Sequence, residues 1–288
     1  MEKNLLGAHV SIVGGFDKAV TRAESIGCTA FQIFLHSNRQ WATKASDKHS
    51  IDRFHKTIEA SSIQRSSVIV HASYLLNLAS SQEETRNKSL ELLLYNLEQC
   101  QELGITKFVL HPGSSTQGSP DQAIELIATG INRAFEKTEN FITSIALENM
   151  AGQGSSRGRT LEELALIREK IDNKKKVGFC FDTCHAFAAG YTFGTSDSYN
   201  FFWQVFEKVI GVDNLLAFHL NDSKKPFDSR VDRHEHIGQG ALGLEPFRLI
   251  MNDRRFTEIP KILETPSDGD DLASYEKNIK ILRKLLKG

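Results

Sequence analysis

Short, nearly unbroken apolar runs alternate along the chain with amphipathic stretches. The runs are LLGAHV from Leu5, AFQIFL from Ala30, SVIVHA from Ser67, FVLHPG from Phe108, SIALEN from Ser144, VGFCFDTCH from Val177, LLAFHL from Leu215 and KILETP from Lys261. Continuous apolar character, rather than strict alternation, fits parallel strands covered on both faces. The stretches between them read as helices. SLELLLYNLEQCQELG, from Ser89, spaces its leucines at i, i+3 and i+4 and ends on Gly104. TLEELALIREKI opens on Thr160 with Glu163 three residues on, the pattern of a capping box, and LASYEKNIKILRKLLK closes the chain. Eight strand–helix units over 288 residues predict a (β/α)8 TIM barrel, one domain spanning residues 1–288. A doubly wound sheet is the alternative arrangement.

The strand ends carry the chemistry. Polar, metal-capable residues stand at the C-terminal ends of six of the eight runs: His71, His111, Glu148, Asp182 with His185, His219, and Glu264. In a parallel barrel those ends share one face, where active sites are built. Any one of them alone reads as an ordinary rim or core residue; six together do not read as independent accidents. The segment HLNDSKKPFDSRVDRHEHIGQG, from His219 to Gly240, adds Asp232 and His234. Two residues apart on extended chain, these two point the same way. His236 shares their parity but leads into a glycine turn, so it is expected to support rather than ligate. His9 is expected to be polar core or support, and Cys180 and Cys184 to pack.

Five histidines and four carboxylates make nine candidate ligands. Imidazole suits zinc and other late first-row metals, and a catalytic zinc takes three protein ligands and keeps a position for water. Nine ligands therefore fit about three Zn2+ ions, with Mn2+ able to take one position. The formal net charge of -1 gives no broad basic surface for an anionic partner. A cluster of cations supplies the missing field locally, and the reaction it suits is hydrolysis of a phosphate ester. Four sparse cysteines predict a reduced, cytoplasmic protein, and no apolar run is long enough to predict a signal peptide or a membrane span.

HASYLLNLA from His71, LEN from Leu147, FDTCHAFAAGY from Phe181 and the His219–Gly240 segment together resemble the motifs of endonuclease IV, the zinc-dependent apurinic/apyrimidinic endonucleases. The resemblance runs from GAHVS near the start to LETP near the end. It implies a TIM barrel with a trinuclear zinc cluster: His71, His111 and Glu148 at one ion; Asp182, His219 and Glu264 at a second, bridged by Glu148; His185, Asp232 and His234 at the third. It gives Glu148 and Glu264 catalytic roles and places Arg39, Tyr74 and Leu75 in the DNA at the lesion. The implied activity, in base excision repair, is cleavage 5′ to an abasic site in double-stranded DNA, leaving a 3′-hydroxyl and a 5′-deoxyribose phosphate, with trimming of blocked 3′ ends. A monomer is the expected state. The competing reading is a metal-dependent sugar isomerase or epimerase on a related barrel, which needs one or two metals and leaves His185 and DRHEH without a purpose. A protein holding metal only for structure would bury its ligands in a closed site rather than line an open face with them.

Overall fold

Each of the eight apolar runs forms a strand in the computed structural model, which describes residues 4–37, 40–41 and 46–287. The barrel strands are β1 (Leu6–His9), β2 (Ala30–Ile33), β3 (Val68–His71), β4 (Lys107–Leu110), β5 (Ser144–Glu148), β6 (Val177–Asp182), β7 (Leu215–His219) and, after a small hairpin of β8 (Asp222–Ser223) and β9 (His234–Glu235), β10 (Lys261–Leu263). They close in the order β1-β10-β7-β6-β5-β4-β3-β2, each pair parallel. A closed parallel barrel leaves no free sheet edge, and the doubly wound alternative is excluded.

Side-chain parity sorts the barrel into two apolar layers. Ala30, Ile69, Val109, Ala146, Cys180, Ala217 and Ile262 form a cluster of their own, one residue from each of seven strands, which fills the barrel interior. Small residues dominate because eight strands leave little room at the axis. The alternate positions face outward into the larger core beneath the helices, where Phe181, Trp203, Phe206, Phe218 and Phe256 stack at 4.5–6.2 Å between ring centroids. On β1 the inward position before His9 is Gly7; a Cβ there would lie 1.7 Å from the carbonyl oxygen of Ala30, so only glycine lets these two strands approach.

The helices of the outer layer are α1 (Phe16–Ser25), α2 (Lys48–Ala60), α3 (Glu83–Leu103), α4 (Pro120–Lys137), α5 (Leu161–Glu169), α6 (Thr183–Ala188), α7 (Ser196–Val209), α8 (Glu245–Met251) and α9 (Asp271–Lys284). Gly104 ends α3 in the left-handed region, φ 69°, as its place in the pattern predicts. Thr160 does cap α5, accepting from the Glu163 amide at 3.1 Å. The Glu163 carboxylate, however, does not return to close a box: it accepts from the amides of Gly158 and Arg159 at 2.8 and 3.0 Å. The nine described helices exceed the expected eight by α6, a six-residue turn that begins directly at the end of β6. Among the described residues no helix is long and apolar enough to cross a membrane.

Candidate metal centre

Two residues beyond each inward-facing core position, the period of a strand points a second side chain into the barrel mouth. From β1 to β10 that second position holds His9, Gln32, His71, His111, Glu148, Asp182, His219 and Glu264. Six of the nine sequence-predicted ligands are in this ring. A register shift between Phe179 and Cys180 sets Asp182 directly opposite His219 on the neighbouring strand.

Glu148 is at the centre and fully buried. Its Oε2 lies 3.1 Å from Nε2 of both His71 and His111, and its Oε1 lies 2.9 Å from His219 Nδ1 and 3.3 Å from His185 Nδ1. Glu264 Oε2 approaches the same His219 nitrogen at 3.3 Å. Asp182 does two jobs: Oδ1 caps α6 by accepting from the His185 amide at 2.7 Å, and Oδ2 lies 3.9 Å from His219 Nδ1 and 3.7 Å from His234 Nε2. That cap turns the chain so that His185 faces the cluster from a helix rather than a strand. Asp232 completes the arrangement, with Oδ2 3.1 Å from His185 Nε2 and Oδ1 3.3 Å from His234 Nε2. All nine predicted ligands are thus linked in one cluster.

Potential ligand atoms fall into four overlapping groups within 4.8 Å of one another: His71, Glu148 and His219; Glu148, Asp182, His219 and Glu264; Asp182, Cys184 and His234; and His185, Asp232 and His234. His111 is in none of the four and joins the cluster through Glu148 Oε2. The electrostatics fit cations. Burial alone would push the Glu148 carboxyl up, yet His219 and His111 hold it well below the usual carboxylate range. Burial likewise disfavours a charged His185, but Asp182 and Asp232 raise it well above its ordinary value. The buried Nε2 atoms of His185 and His234 have no hydrogen-bond partner, although Asp232 oxygens lie at ion-pair distance. The oxygens are close but off the hydrogen-bond direction, so two unpaired ring nitrogens and a carboxylate converge. Imidazole and carboxylate in these proportions are a donor set for zinc-like divalent cations.

Asp232 and His234 are carried by the β8–β9 hairpin, and their shared parity is as predicted. Asp222, fully buried at its base, accepts from the amides of Ser223, Gly238, Gly240 and Leu242 at 2.7–3.0 Å. Gln153 Oε1 accepts from the Asp232 amide at 3.0 Å, and His234 donates Nδ1–H to the Glu264 carbonyl at 3.0 Å. His236 is turned away, between Asp268 at 3.2 Å and Asn278 at 2.9 Å. Amides of the glycine-rich loops are spent internally: those of Gly238 and Gly240 on Asp222, and that of Gly158 on Glu163.

Sequence reasoning missed three buried amides that frame the ligands. Asn149 accepts from the Asp182 amide at 2.7 Å and donates to the Asp182 carbonyl at 3.0 Å. Asn221 donates to Asp182 Oδ2 at 2.7 Å and accepts from the Glu264 amide at 2.8 Å. Gln32 contacts His9, His219 and Glu264. Asparagine after LE and HL, and glutamine inside AFQIFL, were the available signals. All four cysteines are free and buried; Cys180 is in the barrel interior, and Cys184 is on α6, its Sγ 3.6 Å from the Arg233 carbonyl oxygen.

A cleft of 320 Å³ opens beside the cluster, lined among others by Tyr74, Asn77, His111, Gln153, Asp232 and Arg233. Tyr74 stands 69% exposed at this mouth, its ring 6.3 Å from that of His111, and Leu75 beside it is half-buried against the core. Arg39, the third residue predicted to enter DNA, lies outside the described residues.

Residues 20–285 match the family described as xylose isomerase-like TIM barrel. A Trichlorobacter lovleyi protein named probable endonuclease 4 is 47% identical over 97% of this chain and 99% of its own length. The crystal structure of endonuclease IV from Thermus thermophilus superposes with a TM-score of 0.83 at 34% identity, covering 97% of this chain and 98% of that one. A D-tagatose 3-epimerase-like protein shares the fold, with a TM-score of 0.71 over 97% of this chain and 96% of its own, but only 22% identity. Near-full-length identity to the endonucleases, joined to the ligand cluster in the barrel mouth, decides between the two branches of the fold: the chain belongs to the endonuclease IV family.

Proposed function

We propose that this protein hydrolyses the phosphodiester 5′ to an abasic site in double-stranded DNA, leaving a 3′-hydroxyl and a 5′-deoxyribose phosphate, and that it trims blocked 3′ ends. The family makes it a DNA-cleaving, metal-dependent hydrolase; the lesion, the zinc identity and a count of about three ions are our reading. Monomeric action in the cytoplasm, in base excision repair, completes that reading. The observation that carries it is the convergence of all nine predicted ligands into one linked cluster on one open barrel face.

His71, His111 and Glu148 would hold one cation, Glu148 with Asp182, His219 and Glu264 a second, and His185, Asp232 and His234 the third. Divalent cations in such sites lower the pKa of water and offset charge that builds on phosphoryl oxygens. The chain's own part is to fix the ligands and to present the phosphate. Exposed Lys224, Lys225, Arg230 and Arg233 on the hairpin beside the cluster suit contact with the DNA backbone. Tyr74 and Leu75 suit the gap left by an abasic nucleotide, which has lost its stacking and turns out of the duplex at lower cost than an intact one. A sugar isomerase with one or two metals would leave the His185, Asp232 and His234 group unexplained.

The test is a duplex bearing one tetrahydrofuran abasic analogue, which cannot undergo β-elimination. Under zinc-replete conditions we expect a nick immediately 5′ to the analogue with a 3′-hydroxyl end. An intact duplex after prolonged incubation would remove the proposal.

A further inference from the structure

Three of the candidate ligand rings are aimed by the backbone. His71, His185 and His234 each donate Nδ1–H to a carbonyl oxygen, of Ala72 at 2.7 Å, Asn149 at 2.9 Å and Glu264 at 3.0 Å. A carbonyl only accepts, so in the neutral imidazole that binds a metal the hydrogen is on Nδ1, and the bare Nε2 of each ring faces the cluster. His219 is mounted the other way round. Its Nε2 meets Gln32 Oε1 at 2.9 Å, while Nδ1 faces Glu148, Glu264 and Asp182 oxygens at 2.9, 3.3 and 3.9 Å. A side chain, not the main chain, sets this ring.

The orientation of Gln32 follows from its neighbours. Glu264 Oε1 lies 2.7 Å from Gln32 Nε2, and an ionised carboxylate only accepts, so the amide nitrogen must face it. The amide oxygen then faces His219, whose Nε2 must carry the hydrogen. The second N–H of Gln32 points to His9 Nδ1 at 3.0 Å, which serves as acceptor. Gln32 is fully buried, where an unpaired amide costs about 1–3 kcal/mol, and here both its ends are spent on the cluster. One amide on β2 therefore reaches a ring on β7 and a carboxylate after β10.

We propose that Gln32 is a positioning residue for the cation site of Glu148, Asp182, His219 and Glu264. It holds the hydrogen of His219 on Nε2, leaving Nδ1 bare, and it occupies Oε1 of Glu264 so that Oε2 faces the site. The inference rests on the metal-centre reading above. Residues that orient metal ligands in this way change metal affinity by about 10–100-fold when removed.

The experiment uses the full chain loaded with zinc. Nitrogen-15 NMR of the histidine rings should show His219 protonated at Nε2 and ligating through Nδ1, opposite to His71, His185 and His234. Gln32→Met, close in volume but without the amide, should release zinc to a competing chelator at about 10–100-fold lower chelator activity, while the metal-free variant still unfolds in one cooperative transition with the circular dichroism of the wild type. His219 protonated at Nδ1 in the wild type overturns the proposal, whether or not the variant folds. So does equal zinc retention by the variant and the wild type. A wild-type chain that takes up no zinc is a separate failure, that of the metal centre itself.

Discussion

Lys261 has no place in the metal centre, yet it is fully buried. It faces outward from β10; Nζ donates to the carbonyls of Phe256 and Ile259 and lies 5.9 Å from the centre of the Phe218 ring. Burial pushes its pKa down to about 7, against a weaker upward pull from Glu258 and Asp253. An unfolded chain would hold this proton up to the ordinary lysine value near 10.5. Between those limits the unfolded state binds more protons than the folded one, so stability rises with pH across the window and falls back toward pH 7. The slope is at most about 1.4 kcal/mol per pH unit. Lys261→Met removes the titration at similar volume. Chemical denaturation of both proteins at successive pH values across this window should show the wild type gaining stability relative to the variant. Parallel curves would contradict the account.

At the scale of elements, the β8–β9 hairpin depends on Asp222 more than on its own two-residue strands. Four amides converge on that carboxylate, two of them from Gly238 and Gly240. At Gly240 a Cβ would lie 2.4 Å from the Ser223 carbonyl oxygen and 2.5 Å from Asp222 Oδ1, so the close approach needs glycine. Asp222→Ala should cost about 1–3 kcal/mol in stability by leaving buried donors unpaired. It should also loosen Asp232 and His234, so that zinc content falls by one ion per chain while far-ultraviolet circular dichroism stays that of a barrel. Full zinc content in this variant would show that the hairpin is held by other means. The glycines of GQG were visible in the sequence as a turn, but their partner was not: Asp222 is 16 residues before Gly238 and 18 before Gly240, and only the folded hairpin brings them together. The turn into α6 escaped for a related reason. FDTCH continues the apolar run of β6, and it is the Asp182 side chain, capping the His185 amide, that ends the strand.

Across the whole molecule, the barrel was legible because parallel strands covered on both faces must be apolar along their length, and all eight runs are. The candidate centre was legible because the charged residues sit at equivalent ends of those runs, two positions beyond small or branched core residues such as Ala146 before Glu148 and Ile69 before His71. Gln32 occupies the same position in β2, but an uncharged amide in AFQIFL carries no ligand signature, and its meaning appears only once β2, β7 and β10 share a barrel. The same closure makes one measurement decisive for the metal centre. Protein purified without added metal and analysed by plasma mass spectrometry should contain about three zinc ions per chain, released together with loss of nicking activity when chelated. A single bound ion per chain, or full activity after complete removal of metal, would contradict it.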